Sequence, residues 1–251
     1  MPTMVRKNAG GKSSQDVREM FARVAPRYDF LNRVLSLGQD LRWRRAAARE
    51  LGSLEFPSLL ADVCAGTGDL GFAFLQAVPE ARVVALDFTP EMLRLGAAKA
   101  RRYTGKRGNV FFARGDALRL PLRDRSCAAV GMAFGIRNVT DPDAGLREMA
   151  RILKPGGKAL ILEFTRPSGR LFGPLYLFYF RHVLPRLGRW VSRGSGDAYT
   201  YLPASVDAFA GPRELAGRME AAGFREVHAR PLTFGAVHLY VGYSAPDSAK
   251  L

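Results

Sequence analysis

A glycine-containing loop in the first third of the chain has the residue types that hold a nucleotide-like cofactor. It spans residues 62–71 (DVCAGTGDLG) and directly follows an apolar run. Gly66 and Gly68 would let the backbone turn close to a ligand, and Asp87 follows Gly68 by 19 positions. Because Gly66, Gly68 and Gly71 also match the G-x-G-x-x-G pattern of dinucleotide-binding enzymes, the loop alone leaves NAD and S-adenosylmethionine as alternatives.

Two acidic residues that follow successive predicted strands favour an adenosine without phosphates. Asp87 ends the second strand and could accept both ribose hydroxyls, whereas Asp116 follows the third strand and could accept the adenine amine. Taken alone, Asp116 would equally suit a turn. A dinucleotide would instead place its pyrophosphate at a helix N-terminus. We therefore expect S-adenosylmethionine, with the backbone of residues 65–68 facing its methionine part and Asp69 binding its ammonium group.

The elements that must position these residues alternate between strands and helices. Apolar runs predict strands at 59–63, 82–87, 110–113, 127–133 and 158–164, with helices at 70–77, 90–101 and 142–153. This alternation predicts a doubly wound, mostly parallel α/β sheet. After a helix at 212–222, two last strands at 225–231 and 236–243 are too close for a crossover helix, so they must pair antiparallel. This Rossmann-like layout is typical of class I methyltransferases and counts against an NAD enzyme.

Two regions lie outside the alternation. Val17, Met20, Phe21 and Val24 recur at helical spacing, and residues 15–52 predict a helical cap in front of the sheet. We expect the polar stretch 1–14 to be a disordered tail. Residues 166–209, after the fifth strand, form an insertion rich in arginine and aromatic residues. Together these regions and the sheet predict a single domain over residues 15–251.

The composition limits the partners and the compartment. The net charge is +15, which suits an anionic lipid or nucleic-acid surface, although a solvated arginine-rich surface is an equal alternative. Cys64 and Cys127 lie in or at the end of predicted buried strands and imply no disulfide, and the three histidines lack zinc-ligand spacing. We predict no metal site. Reduced cysteines and a start without a signal-peptide pattern predict a cytoplasmic location.

The chain resembles the ubiquinone/menaquinone biosynthesis C-methyltransferases over about residues 17–243. The blocks that carry the resemblance are Met20-Phe21, 24–29 (VAPRYD), Leu31-Asn32, Leu35-Ser36, 134–139 (FGIRNV), 162–164 (LEF) and 199–202 (YTYL) with Ser205. The resemblance implies S-adenosylmethionine-dependent methylation of a ring carbon on a polyprenylated quinol, demethylmenaquinol first among the candidates. By position it implies cofactor contacts from Thr67, Asp87, Asp116 and Ala117. Members often have Ser where this chain has Ala133, which removes one side-chain contact to the cofactor.

Methylation of a ring carbon needs a nucleophilic ring, and a quinol becomes one when a hydroxyl loses its proton. A cation beside a phenol, whose pKa is about 10, stabilises the phenolate. We expect Arg137 to supply that cation or to orient a water, because a guanidinium stays protonated and is a poor base. Asn138 and Tyr28 would hold the same water or hydroxyl. His238 and Asp29 are secondary candidates for the base, since each also has a simple structural explanation.

The insertion predicts where the lipid tail of the substrate would go. Its apolar segment 171–180 is too short to span a bilayer, which needs about 20 residues. It predicts an anionic membrane surface contact, a lid over the pocket, or both, so that the protein associates peripherally with the inner face of the membrane. The residues that flank this segment and support the surface contact are Arg170, Arg181, Arg186, Arg189, Trp190 and Arg193.

Other functions would leave different marks in the sequence. A nucleic-acid methyltransferase would need an Asn/Asp-Pro-Pro-aromatic block after the fourth strand or a catalytic cysteine, and the chain has Phe134-Gly135-Ile136-Arg137 there. We therefore expect no nucleic-acid partner. A non-enzymatic scaffold would predict a damaged glycine loop, whereas this loop is intact. Benzoquinol and naphthoquinol substrates, prenyl length and oligomeric state stay open.

Overall fold

A computed structural model describes residues 7–55, 57–103, 109–167 and 197–246, together with positions 173 and 178. The strands within these residues are β1 Leu59–Val63, β2 Arg82–Asp87, β3 Val110–Arg114, β4 Cys127–Ala133, β5 Leu153–Phe164, β6 Arg225–Leu232 and β7 Val237–Tyr243. They form one sheet in the order β3-β2-β1-β4-β5-β7-β6. Strands β1 to β5 pair in parallel, and β7 pairs antiparallel with both β5 and β6. The predicted sheet and its C-terminal hairpin are confirmed.

The strand order reverses between β1 and β4. From β1 the chain adds β2 and β3 on one side, and then returns to place β4 on the other side. Asp62 of β1 lies opposite Ala85 of β2 and Gly131 of β4, so the carboxyl ends of the three strands share one edge of the sheet. Ligands of doubly wound folds bind in the crevice at such a reversal. The topology therefore places Asp87, at the end of β2, beside the loop that follows β1.

Helices cover both faces of the sheet and its crevice. They are α1 Ser14–Val24, α2 Tyr28–Leu35, α3 Gln39–Arg49, α4 Asp69–Ala77, α5 Pro90–Tyr103, α6 Pro142–Ile152, α7 Asp197–Ala208 and α8 Pro212–Ala221. One buried cluster packs Phe74 of α4 with Val83 and Leu162, and the other packs Leu146 of α6 with Val130. Helix α7 lies at the C-terminal end of the insertion, where no element was predicted.

Two segments differ from the prediction. Strand β5 begins at Leu153 because Cys127 pairs with Leu153 and Ala129 with Lys158, which leaves residues 154–157 as a bulge with Gly156 at φ 73°. Residues 7–13, predicted as part of a disordered tail, have a defined conformation. Ser13 caps α1 through reciprocal hydrogen bonds with Asp16, so α1 begins one residue earlier than predicted.

The predicted membrane segment lies mostly outside the described residues. Of residues 171–180 only positions 173 and 178 are described, and the six flanking arginine and tryptophan positions are not. Along the described helices, none combines the length and apolarity of a bilayer-spanning helix. Within the same residues no group of three or more His, Cys, Asp or Glu side chains is placed to hold a metal ion.

Candidate active site

A cavity that is open to solvent lies at the crevice between β1, β2 and β4. Helix α1 forms part of its wall through Val17 and Phe21. Opposite lie the loops that follow the central strands. The predicted site residues that line the cavity are Tyr28, Gly66, Asp87, Asp116, Ala117, Ala133 and Asn138. The topology therefore brings the main predicted cofactor residues and two predicted acceptor residues into one space.

The glycine loop, residues 62–71, needs glycine at two positions. Gly66 and Gly68 have φ values of 57° and 84°, in the left-handed region that other residues rarely adopt. A Cβ added to Gly68 would lie only 2.7 Å from Cζ of Phe112, so a side chain there would displace that ring. The backbone N–H of Gly66 donates to Oδ2 of Asp87 at 2.8 Å. This bond ties the turn of the loop to the end of β2.

Asp87 and Asp116 fit the adenosine part of S-adenosylmethionine. Oδ1 of Asp87 accepts the backbone N–H of Thr89 at 2.8 Å, and the Thr89 side chain and the backbone of Phe88 also donate to this carboxylate. Burial raises the pKa of Asp87, which two ribose hydroxyls would offset by donating to it. Asp116 is exposed, and its Oδ1 accepts the backbone N–H of Leu118 at 2.9 Å. Both carboxylates border the cavity, as a ribose and an adenine amine would require.

Asp62 lies beneath the glycine loop and holds its far end. Its side chain is only 1% exposed, and Oδ2 accepts the backbone N–H of Gly71 at 2.8 Å. Burial raises the pKa of this carboxyl to about 7, although the bond from Gly71 favours the charged form. Asp62 is therefore a support for the loop whose charge changes near neutral pH.

Three predicted site residues, Thr67, Asp29 and Asp69, pair with side chains of other elements and do not line the cavity. Oγ1 of Thr67 donates to Oδ1 of Asp29 at 2.5 Å, and Nζ of Lys99 lies 2.8 Å from Oδ2 of Asp29. Lys99 also pairs with Asp69, and Arg33 lies 3.6 Å from the same carboxylate. Lys99 was not predicted, because nothing in its local sequence indicates that it bridges two carboxylates from distant segments.

These ion pairs set the charge state of Asp69. Burial pushes the pKa of its carboxyl up, but nearby cations outweigh burial and hold it below its usual range. The cations are Arg44, Lys99 and Arg33. Asp69 is thus a paired carboxylate, and its predicted contact with an ammonium group stays a prediction. The predicted role of Asp29 as a base also stays a prediction, now for a carboxylate held by Thr67 and Lys99.

Arg137 and Glu163 form a buried ion pair behind the cavity wall. Arg137 is 5% exposed and Glu163 is fully buried, and the guanidinium lies 2.7 Å from the carboxylate. The same guanidinium donates to the carbonyl of Phe134 at 2.6 Å and to Oγ of Ser205 at 3.3 Å. Burial raises the pKa of Glu163, and Arg137 opposes that rise. Glu163 was not assigned a role, although an acid inside the apolar strand β5 is a signal that a buried cation must lie nearby.

Asn138 and Tyr28 are polar residues of the cavity lining. Nδ2 of Asn138 donates to the carbonyl of Phe134 at 3.2 Å, and its Oδ1 accepts from the hydroxyl of Tyr201 at 2.9 Å. Burial raises the pKa of Tyr28, so its phenol is protonated and can donate at neutral pH. Its ring packs edge-on against Phe21 at 6.0 Å between centroids.

Two other groups are neutral near pH 7. Burial lowers the pKa of His238, whose Nδ1 lies 2.7 Å from Oγ1 of Thr165, the residue that follows β5. The residues that line the described cavity do not include His238, and its role as a base stays a prediction. Cys64 lines the cavity with φ 54°, and burial raises the pKa of its thiol well above the usual value. A protonated thiol is not the nucleophile that a cysteine-dependent mechanism requires.

The chain matches a known family over nearly its whole length. The model of the ubiE/COQ5 methyltransferase family matches residues 9–244. The chain belongs to this family. It is therefore an S-adenosylmethionine-dependent methyltransferase, which confirms the predicted cofactor and reaction class.

Two relatives show how close the match is. A Deinococcus radiodurans protein named demethylmenaquinone methyltransferase is 50% identical over 228 residues, which are 91% of this chain and 92% of the relative. A Syntrophotalea carbinolica protein named ubiquinone/menaquinone biosynthesis C-methyltransferase UbiE is 45% identical, covering 94% of this chain and 97% of its own length. These values confirm the resemblance inferred from the 24–29 and 134–139 blocks.

Solved structures show the fold alone. A methyltransferase from Aquifex aeolicus, titled as SAM dependent, has a TM-score of 0.55 at 19% identity, covering 80% of this chain and 87% of that chain. The [4+2]-cyclase SpnF has a TM-score of 0.61 at 17% identity, covering 96% and 98%. One fold thus carries a methyltransferase and a cyclase, so the family and the site residues, not the fold, identify the reaction class.

Proposed function

We propose that the protein methylates a ring carbon of a polyprenylated demethylmenaquinol. The observation that carries this proposal is the shared cavity, which Asp87, Asn138 and Tyr28 all line. Two relatives with 50% and 46% identity, from Deinococcus radiodurans and Thermus thermophilus, are named demethylmenaquinone methyltransferase. A benzoquinol is the second candidate substrate, because the relative with 45% identity is named for both ubiquinone and menaquinone.

The cavity residues would divide between the two reactants. When bound, S-adenosylmethionine would supply an electrophilic methyl group: its bond to sulfur would break as the bond to the ring carbon forms, and that carbon would then lose its hydrogen as a proton. Asp87 would hold the ribose and Asp116 the adenine amine, while the backbone at Gly66 would face the methionine part. Ala133 and Ala117 also line the cavity, and neither has a polar side chain that could compete for the cofactor's hydrogen bonds.

The quinol hydroxyl would lie against Asn138 and Tyr28. Both side chains can donate a hydrogen bond to its oxygen, and such bonds strengthen as negative charge develops there. Arg137 precedes Asn138 in the chain, and its positive charge would favour the phenolate although Glu163 partly neutralises it. A water in the open cavity would be the first acceptor of the proton, because Arg137 is held by Glu163 and Phe134 and Tyr28 keeps its own proton.

The substrate assay separates the candidate functions. Purified protein is incubated with labelled S-adenosylmethionine and, in turn, demethylmenaquinol, a demethylated benzoquinol and duplex DNA or RNA. We expect label on the naphthoquinol ring. Label on the benzoquinol alone would replace the substrate, whereas label on nucleic acid alone would overturn the proposed function.

We also propose that the protein docks on an anionic membrane surface through helix α2. Phe30, Val34 and Leu37 recur along one side of α2 and its C-terminal turn, and they are 59%, 38% and 82% exposed. Exposed Arg42 and Arg45 follow on α3, and the whole chain has a net charge of +15. Apolar side chains bordered by arginines suit the boundary between acyl chains and anionic headgroups.

A liposome assay tests this surface. We expect the Phe30→Ser/Leu37→Ser variant to bind vesicles containing anionic lipid at least tenfold more weakly than the unaltered protein. The matched control is Phe111→Ser, because Phe111 is 51% exposed on strand β3, away from α2. Equal loss in both variants, or no loss in the first, would remove α2 as the docking surface.

A further inference from the structure

A turn near the start of the chain lies against the candidate active site. Asn8 is only 8% exposed, and its Oδ1 accepts the backbone N–H groups of Gly10 and Lys12, both at 3.0 Å. Its Nδ2 donates to the hydroxyl of Tyr201 at 2.7 Å and to the carbonyl of Asn138 at 3.2 Å. We call this turn, residues 8–12, the N-terminal clasp. It joins the first described residues to helix α7 and to a residue that lines the cavity.

The hydrogen bonds of the clasp run in one direction. A tyrosine hydroxyl has one proton, and Tyr201 uses it to donate to Oδ1 of Asn138 at 2.9 Å while it accepts from Asn8. Asn138 then donates through Nδ2 to the carbonyl of Phe134 at 3.2 Å. Each hydrogen-bond donor in this series fixes the orientation of the group that accepts from it. The orientation of the Asn138 amide is therefore set by Tyr201 and, through it, by Asn8.

Packing holds Tyr201 as firmly as its hydroxyl bonds do. A Cβ added to Gly10 would overlap the Tyr201 ring, so the ring lies directly against the clasp backbone. Nζ of Lys12 lies 5.8 Å from the centroid of the same ring. Helix α7 also reaches the neighbouring residue, because Oγ of Ser205 accepts from Arg137 at 3.3 Å. One helix of the insertion thus contacts both residues of the Arg137-Asn138 pair.

We infer that Asn8 and Tyr201 are positioning residues for methyl transfer. They hold the Asn138 amide so that Nδ2, which gives one of its two N–H bonds to Phe134, keeps the second for the quinol oxygen. If the amide rotated, its own oxygen would face the quinol oxygen, and two acceptors would repel. This inference rests on the proposed function, because it assigns the free N–H of Asn138 to the methyl acceptor.

A double-mutant cycle tests the inference. Tyr201→Phe keeps the ring but removes the hydroxyl, and Asn8→Ala removes the donor to it. We expect each variant to lower kcat about tenfold, with the Kd of S-adenosylmethionine within about twofold of the unaltered protein. Because both changes act through one amide, the double variant should also lose about tenfold. A hundredfold, additive loss, or an unchanged kcat in Tyr201→Phe, would overturn the inference.

Hydrogen exchange tests the positioning without turnover. We expect Asn8→Ala and Gly10→Ala to speed exchange of the backbone amides of Asn138 and Val139, whereas unchanged exchange would overturn the inference. Gly217→Ala is the matched control, because a Cβ at Gly217 on α8 meets no atom within 4 Å. If the unaltered protein does not methylate the quinol, the proposed function fails, and the exchange result still decides whether the clasp holds Asn138.

Discussion

The two halves of the site are built from different kinds of contact. The cofactor half, residues 62–71 with Asp87 and Asp116, is formed by loops that directly follow neighbouring strands. The acceptor half, Tyr28 with Arg137 and Asn138, depends on partners from Asn8 to Ser205. The cofactor half is fixed mainly by glycine conformations and by backbone N–H groups that donate to the carboxylates of Asp62 and Asp87. The acceptor half is fixed by side chains that meet only in the complete fold.

This contrast suits the chemistry of each half. S-adenosylmethionine is one ligand that many methyltransferases share, and a local loop on a parallel sheet can hold it. The reaction differs between proteins of the same fold, as the cyclase with a TM-score of 0.61 illustrates. Residues contributed by the cap and the insertion can change the acceptor without disturbing the methyl donor.

Arg137→Ala should have the largest effect of the changes that test this contrast. It removes the cation of the acceptor half and leaves the buried Glu163 without its partner. We expect turnover to fall at least about a thousandfold and the free energy of unfolding to fall by about 3–5 kcal/mol, while cofactor affinity stays within about threefold. Stopped-flow turnover, denaturant unfolding and calorimetry measure the three quantities. Arg147→Ala, at an exposed position on α6, is the matched control, and near-normal turnover of Arg137→Ala would remove its proposed role.

The free energy of unfolding should depend on pH through Asp62, which supports the cofactor half. The folded pKa of Asp62 is about 7, above its unfolded value of about 4, so the folded protein binds the proton more tightly. The stability from this group is therefore present at low pH and is lost as pH rises from about 4 to about 7, by up to about 1.4 kcal/mol per pH unit. Asp62→Asn keeps an acceptor for Gly71 and should remove this slope. Equal slopes in both proteins, measured by urea unfolding, would show that Asp62 does not titrate there.

Asp87→Asn should weaken cofactor binding and leave the acceptor half intact. The amide keeps one acceptor oxygen but loses the negative charge, so we expect S-adenosylmethionine to bind about 10- to 100-fold more weakly. At saturating cofactor, kcat should change less than threefold, because the acceptor half is intact. Calorimetry and saturation kinetics distinguish these effects, and a large fall in kcat at saturation would show that the halves are coupled.

The smallest expected effect is that of Asp116→Asn. Asp116 is exposed, and a hydrogen bond in contact with solvent contributes little net affinity. We expect cofactor affinity to fall about two- to fivefold, with no change in the melting temperature. A loss as large as that of Asp87→Asn would show that the adenine amine depends on this carboxylate as much as the ribose depends on Asp87.

The sequence predicted the cofactor half better than the acceptor half. The bounds of β1, β2 and β4 follow from continuous apolar runs, and the glycine loop and Asp87 lie at fixed positions after them. Glu163 stands in such a run too, but only the fold shows that its partner is Arg137. Thr67 and Asp69 lie in the predicted loop, yet their side chains face the cap, because Asp29 and Lys99 meet them from other elements.

Long-range contacts explain what the sequence left out. Asn8 is separated from Asn138 by 130 positions and from Tyr201 by 193 positions. No periodicity or capping pattern connects such positions, so the polar stretch 1–14 gave no sign of a buried asparagine. The resemblance pointed to the Arg137-Asn138 block, whereas the hydrogen bonds that orient it are evident only in the folded structure.

The bond between Asn8 and Tyr201 also orders events on the ribosome. Chains emerge N-terminus first, and contacts across a long separation form only when both ends are present. A nascent chain that has reached β4 already contains residues 62–116. Asn8, however, cannot form its bond with Tyr201 until α7 has been synthesised. The pocket for the methyl donor can therefore fold while the protein is still being translated. Residues near the start of the chain are therefore among the last to reach their native partners.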